Sequence, residues 1–299
     1  MKNYDVIIIG GSYAGLSAGM ALGRSLRNIL IIDSGKPCNR QTPHSHNFIT
    51  HDGKTPKEIS DLAREQVAAY PTVNFHEGVV TRLNKTEDGF EAETATGEKF
   101  SAKKLILASG VKDKMPDIPG FADCWGISVL HCPYCHGYEV RNEVTGILSD
   151  GDMAYDFTKL VYNLTKDLFL FTNGKSILSK EQKDKLAQNN ISLIEDEVEK
   201  IEHENGNIRK IIFKTGKEIS LKALYAKIPF EQNINAEKDL GCELTEQGFI
   251  KVDFMQKTNI PGVFAGGDNV TMMRSVATAI AQGNFTGAVV NKELSEEEF

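Results

Sequence analysis

The stretch Cys132-Pro133-Tyr134-Cys135-His136 is the one best equipped for chemistry. Two thiols separated by two residues can close a disulfide, and motifs of this type lower a thiol pKa so that the thiolate can attack. The spacing admits three readings: a redox pair, half of a zinc site or, because His136 completes Cys-x-x-Cys-His, a haem attachment site. A zinc site needs a second ligand pair at suitable spacing, and Cys124 and Cys242 stand isolated. Haem attachment normally accompanies export, and the opening MKNYDVIIIGG runs straight from a short apolar stretch into glycines, unlike a signal peptide. The redox pair is the favoured reading. His136 is then the group that supplies or removes a proton during exchange, or else a structural histidine.

A second chemistry lies in the glycines. Gly10-Gly11-Ser12-Tyr13-Ala14-Gly15 matches G-x-G-x-x-G with Ser12 in place of the middle glycine. Gly10 can make the tight turn, and Gly15 lets the following helix sit close to the strand. Ser12 is small enough for backbone to approach a pyrophosphate, which the helix N-terminus attracts through its unpaired N–H groups. Asp33 stands about 20 residues further on, where an acid accepts hydrogen bonds from a ribose. Ser109-Gly110 ends another apolar run. Gly267-Asp268 ends a third, and the residues around Ala277 open a stretch of small residues that permits close approach to a ligand. An acid at a strand end is otherwise often a helix cap.

These residues must be positioned by alternating strands and helices. The β-branched run 4–9 reads as a strand buried on both faces, 16–26 as a helix, 29–32 as a strand and 55–70 as a helix. Residues 73–100 read as short strands with turns, and 104–108 as a buried strand. Residues 36–54 read as a loop in which His44, His46 and His51 lie either near a bound cofactor or in solvent. Pro116, Pro119 and Gly120 mark a linker. A second strand, turn and helix follows over 144–148, 149–152 and onward to about 164. Only Gly151 and Ala154 of the glycine fingerprint survive there. Asp150 would repel a pyrophosphate by about 4 kcal/mol at 4 Å and an effective dielectric of 20, if its side chain faces the phosphate. The strand 167–171 leads to Asn173 and Lys175, polar groups able to reach a phosphate, and a helix is expected over 177–189. Another helix is expected over 275–294, followed by an acidic tail that frays at 296–299.

Composition bounds the function. A chain of 299 residues allows two domains at roughly 100–200 residues each. The charge sum, 34 − 41 = −7, has the wrong sign for a protein living on phosphate contacts with nucleic acid. No apolar run approaches the roughly 18 residues that span a bilayer. Five cysteines, an odd and sparse set, do not form a secreted disulfide framework, so a cytoplasmic setting is expected and no metal is expected.

Together these residues resemble the low-molecular-weight thioredoxin reductase family of flavoproteins, over nearly the whole chain. IIIGGSYAGLSA resembles the family's FAD phosphate loop, LILASG its strand end, HCPYCHGYE its redox disulfide, and TNIPGVFAGGD the segment whose aspartate holds FAD. The resemblance implies an α/β fold of two Rossmann-like three-layer ββα nucleotide-binding domains, the second inserted in the first. The FAD-binding domain would span 1–114 and 233–299, and the pyridine-nucleotide-type domain 115–232 with the redox pair. FAD would be held by Gly10, Ser12, Tyr13, Ala14, Gly15, Asp33, Ser109, Gly110, Gly267, Asp268 and Ala277. NADPH would be held by Gly151, Ala154, Asn173 and Lys175. Cys135 would face the flavin and Cys132 would attack a thioredoxin-like protein or a small-molecule disulfide, in a homodimer. Two departures stand out. His136 replaces the family's aspartate, and the second loop lacks the family's glycines and its His-Arg-Arg cluster, which argues against NADPH. CPYCHGYE is also similar to gliotoxin-type oxidases, so oxidation of a small-molecule dithiol with oxygen as acceptor is the alternative, beside a ferredoxin-fed reductase.

Overall fold

The computed structural model describes residues 3–299. The chain divides into two compact units. One comprises residues up to Arg40, Lys54–Lys112 and Phe230–Phe299; the other comprises Gln41–Gly53 and Asp113–Pro229.

In the first unit, Asn3–Ile9 lies between Ile29–Asp33 and Lys99–Leu107, with Val73–Glu77 and Val263–Ala265 outside them, all parallel. The central strands bury side chains on both faces, which is why their sequences read as unbroken apolar runs. On one face, Ile7, Ile9, Ile32 and Leu107 join Leu83 and Phe90 in a core. Leu83 and Phe90 come from the antiparallel strands Val80–Thr86 and Gly89–Thr94, which extend from Lys99–Leu107. The other face receives the helix Tyr13–Arg24, and the helix Val276–Glu298 packs against that one closely: a Cβ at Gly283 would lie 2.1 Å from the Ala14 carbonyl oxygen.

The second unit repeats the plan. Its parallel sheet runs Ser192–Ile194, Leu168–Phe171, Thr145–Leu148, Ala223–Ala226, Val129–Leu130. An antiparallel sheet of Val198–Glu204, Asn207–Phe213 and Glu218–Ser220 supplies the other layer. Phe171 and Phe213, both fully buried, join the layers with ring centroids 5.5 Å apart. This is the α/β, twice-Rossmann architecture that the two glycine turns imply. No helix among the described residues is long and apolar enough to cross a membrane.

Two elements differ from the sequence expectation. The helix expected from residue 177 is Lys180–Gln188. The Ser179 hydroxyl accepts from the Gln182 N–H while the Gln182 side chain accepts from the Ser179 N–H, and this capping box sets the start. Residues 177–178 are left outside the helix. The acidic tail, in turn, is helical through Glu298. Arg27 donates to Glu298 at 2.5 Å and to Asn291 and Ser295 at 2.8 Å each, and Lys103 donates to Glu298 at 2.8 Å. Lys104, whose side chain is 8% exposed, donates to Glu293 at 2.8 Å and also to Glu297. These bonds outweigh its burial and hold its pKa above the usual lysine value. Lys104→Ala takes the lysine from Glu297 and leaves Glu293 with Lys257 alone, and is expected to lower the unfolding free energy by about 1–3 kcal/mol. A lower urea midpoint at unchanged slope is the check.

Candidate active site

The first unit brings the residues expected to hold a dinucleotide to the carboxyl ends of its parallel strands. Gly10 turns with φ +103° and donates to the Ile32 carbonyl at 2.8 Å. Ser12 caps the helix Tyr13–Arg24 with extended backbone and no side-chain bond, so the side chain leaves the first-turn N–H groups to a ligand. Gly15 brings helix and strand together: a Cβ there would lie 1.8 Å from the Gly10 carbonyl oxygen. Asp33 ends its strand with Oδ2 accepting from the Gly11 N–H at 2.6 Å and Oδ1 from the Gly35 N–H at 2.7 Å. Each oxygen retains a lone pair for a ribose hydroxyl.

Other expected residues converge on the same loop. A Cβ at Gly10 would meet the Ala108 carbonyl, next to Ser109, and one at Gly267 would meet Ala14. Ser109 Oγ and Asn269 Oδ1 are buried with no hydrogen-bond partner among the described residues. Buried polar atoms of this kind call for a partner, and with the close-packed glycine turn they fit a bound dinucleotide such as FAD. Asp268 lies 3.5 Å from Arg274 Nε and accepts from Cys38 Sγ at 3.7 Å. Gly110 has φ +64°. Ala277 is exposed in the first turn of its helix, which Ser275 caps through the Thr278 N–H. Tyr13 turns its hydroxyl to the Pro56 carbonyl at 3.1 Å. Arg274 and Asn269 were not singled out by sequence. Their only signal is nearness to Gly267-Asp268.

In the second unit, Cys132 and Cys135 form a disulfide, with Cα atoms 5.4 Å apart. Cys132 stands at the N-cap of the short helix Pro133–His136, and Pro133 at its first position needs no N–H partner. Both cysteines are half-buried and Tyr134 between them is 60% exposed, so the pair meets solvent. The buried thiols differ. Burial pushes Cys124 up to about 11 and raises Cys242 as well, which leaves both unreactive. Among the described residues no three His, Cys, Asp or Glu side chains are grouped to hold a metal ion.

Burial lowers the His136 pKa, while Glu139 pulls it up and His46 pushes it down. His46 comes from the loop expected near a cofactor or in solvent. That loop, residues 41–53, clusters with the second unit. There His46 Nε2 lies 3.6 Å from Glu139 Oε1, and Nδ1 lies 3.5 Å from Asp52 Oδ2. His44 Nδ1 bonds the Gly53 carbonyl oxygen at 3.0 Å. Glu139 belongs to the CPYCHGYE motif, but sequence reasoning gave it no role, and nothing local pairs it with His46.

The second glycine turn offers a different seat. Asp150 caps the helix Gly151–Val161, its Oδ1 accepting from the Gly151 N–H at 2.7 Å and from Ser176 Oγ at 3.1 Å. Its Oδ2 accepts from the Ile177 N–H at 2.9 Å. Ala154 is fully buried. Asn173 spends its Oδ1 on the Val198 N–H at 2.7 Å. Lys175 lies near Glu195, whose carboxyl is held below its usual range by Lys183 first and by the Ser176 N–H. The residues here do not fit a pyridine nucleotide as those of the first unit fit FAD.

Residues 4–283 match the family model described as pyridine nucleotide-disulphide oxidoreductase. The chain is 34% identical to thioredoxin reductase tcpT of Claviceps purpurea, covering 97% of this chain and 94% of the relative. It is similar to a crystal structure of a putative thioredoxin reductase TrxB from Bacillus anthracis, with TM-score 0.94 and 32% identity over 99% of this chain and 100% of the other. An oxidoreductase from Agrobacterium tumefaciens matches with TM-score 0.92 and 36% identity over 99% of each chain.

Proposed function

Because the chain belongs to the pyridine nucleotide-disulphide oxidoreductase family and is an FAD-dependent disulfide oxidoreductase of the thioredoxin reductase type, we propose that Cys132–Cys135 is its redox pair and that a thioredoxin-like protein or a small-molecule dithiol or disulfide exchanges with it. The observation that carries this reading is the half-buried, solvent-meeting disulfide beside His136 and Glu139. The site residues follow from the same reading: the cradle of Gly10, Ser12, Gly15, Asp33 and Gly267 for FAD, and Cys132, Cys135 and His136 for chemistry. A homodimer in the cytoplasm is the setting that the resemblance proposes.

FAD, when bound, takes up or supplies the electron pair. The protein's part is thiol–disulfide exchange. A substrate thiolate attacks one sulfur of the pair and the other leaves as thiolate; the second substrate thiol, as thiolate, then attacks the substrate sulfur of the mixed disulfide, closing the substrate disulfide and releasing the first cysteine as thiolate. Two electrons and two protons leave the dithiol, and the pair ends as two thiols. In the opposite direction, Cys132 is the attacking thiolate. His136, with its pKa below the ordinary histidine value, is neutral near pH 7 and can accept a proton from the attacking thiol. Glu139 and His46 are placed to bias that equilibrium in opposite senses.

A second reading runs the flow from a small-molecule dithiol to the pair and on to oxygen. The Asp150 carboxylate at the second glycine turn favours it, because that turn is the family's usual place for NADPH. Both readings are tested by adding dithiothreitol anaerobically to the yellow holoprotein. Bleaching of the flavin band is expected, followed by recovery and peroxide on admitting oxygen if the second reading holds. A flavin that stays oxidised under excess dithiol would overturn the role of the pair.

A further inference from the structure

We propose that the dinucleotide seat of the second unit is filled by the protein's own Asp150, which stands in for a pyrophosphate, and that no pyridine nucleotide binds there. In a dinucleotide-binding turn, the glycines admit the pyrophosphate to the first N–H groups of the helix. Here the carboxylate of Asp150 already takes the Gly151 N–H at 2.7 Å. The same carboxylate takes the Ser176 hydroxyl at 3.1 Å and the Ile177 N–H at 2.9 Å. Three donors converge on one internal anion, which matches its two oxygens as they would match a phosphate.

The seat is also covered. The bonds to Ser176 and Ile177 draw the segment after Asn173 across the start of the helix, and Gln182 Nε2 fixes it again on Asp152 Oδ1 at 2.8 Å. A Cβ at Gly151 would lie 3.2 Å from Ile177 Cδ1. The glycine that would admit a phosphate therefore faces an isoleucine. Ile177 is nevertheless 79% exposed, so its side chain caps the turn from the solvent side rather than filling a core. A nucleotide has to displace this segment, strip the carboxylate of its donors and then accept a like charge beside its own phosphates. The inference stands apart from the direction in which Cys132 and Cys135 turn over.

The test uses the FAD-loaded protein and NADPH, NADH or ADP-ribose as probes, with binding read by calorimetry. The wild type is expected to bind none of them tighter than about 1 mM. Asp150→Gly removes the internal anion and is expected to gain affinity for at least one probe by about tenfold or more. Asp150→Asn keeps the shape without the charge and is expected to fall between. Amide hydrogen exchange of Gly151 and Ile177 in the wild type supplies a readout that needs no variant: it is expected to stay unchanged on adding NADPH. Wild-type binding of any probe tighter than about 1 mM, or altered exchange at these amides on adding NADPH, would overturn the proposal. So would folded Asp150→Gly and Asp150→Asn proteins with no gain for any probe.

Discussion

Cys132→Ser and Cys135→Ser are each expected to lower thiol–disulfide turnover by at least about 1,000-fold while the protein stays yellow. An oxygen in place of either sulfur cannot close the disulfide, so neither exchange nor transfer of the electron pair has a route. Flavin retention is expected because the residues that fit FAD all belong to the first unit, whereas both cysteines belong to the second. Turnover of a dithiol or disulfide, read beside the flavin absorbance of the same sample, is the check. Cys124→Ala and Cys242→Ala are the controls, since both thiols are buried and their pKa values raised. Full turnover in both serine variants would remove the redox pair from the mechanism.

Gly15→Ala is expected to give a pale protein. Its Cβ would lie 1.8 Å from the Gly10 carbonyl oxygen, and that neighbour is backbone, with no rotamer to turn away. Either the helix Tyr13–Arg24 moves off the strand or the Gly10 turn opens. Both spread the seat of the pyrophosphate. Overpacking of this kind costs roughly 1–3 kcal/mol, which corresponds to about a 5- to 150-fold weaker FAD affinity if it falls on the bound state. Flavin content after dialysis and the FAD dissociation constant of the reloaded protein measure it. Ser12→Gly completes the glycine fingerprint at the neighbouring position and is expected to keep the flavin, which separates loss of the close approach from general damage to the loop.

The parts of this protein legible in its sequence are those encoded within a few residues. The β-branched run before Gly10, the spacing to Gly15 and the acid at Asp33 specify a strand, a turn and a helix wherever they occur, because each depends on local backbone freedom and burial on both faces. Cys132 and Cys135 are close in space because they are close in the chain. These patterns announced the twice-Rossmann fold and the two cysteines that close the disulfide. What tertiary structure decided are the contacts between segments that are remote in sequence. The loop 41–53 joins the second unit and delivers His46 to Glu139, although nothing near His46 marks that destination. The acidic tail 296–299 reads as frayed, yet its Glu297 and Glu298, with Glu293 on the same helix, meet Arg27, Lys103 and Lys104 from the first unit's sheet and its connections. Asp150 shows the division at a single residue. Its charge and its place in a glycine turn could be read directly, and so could the repulsion of a phosphate. Whether that carboxylate would sit in the seat depended on donors from Ser176 and Ile177, which only the return of the next strand and loop supplies. A charge is local, but the partners that satisfy it come from wherever the chain returns.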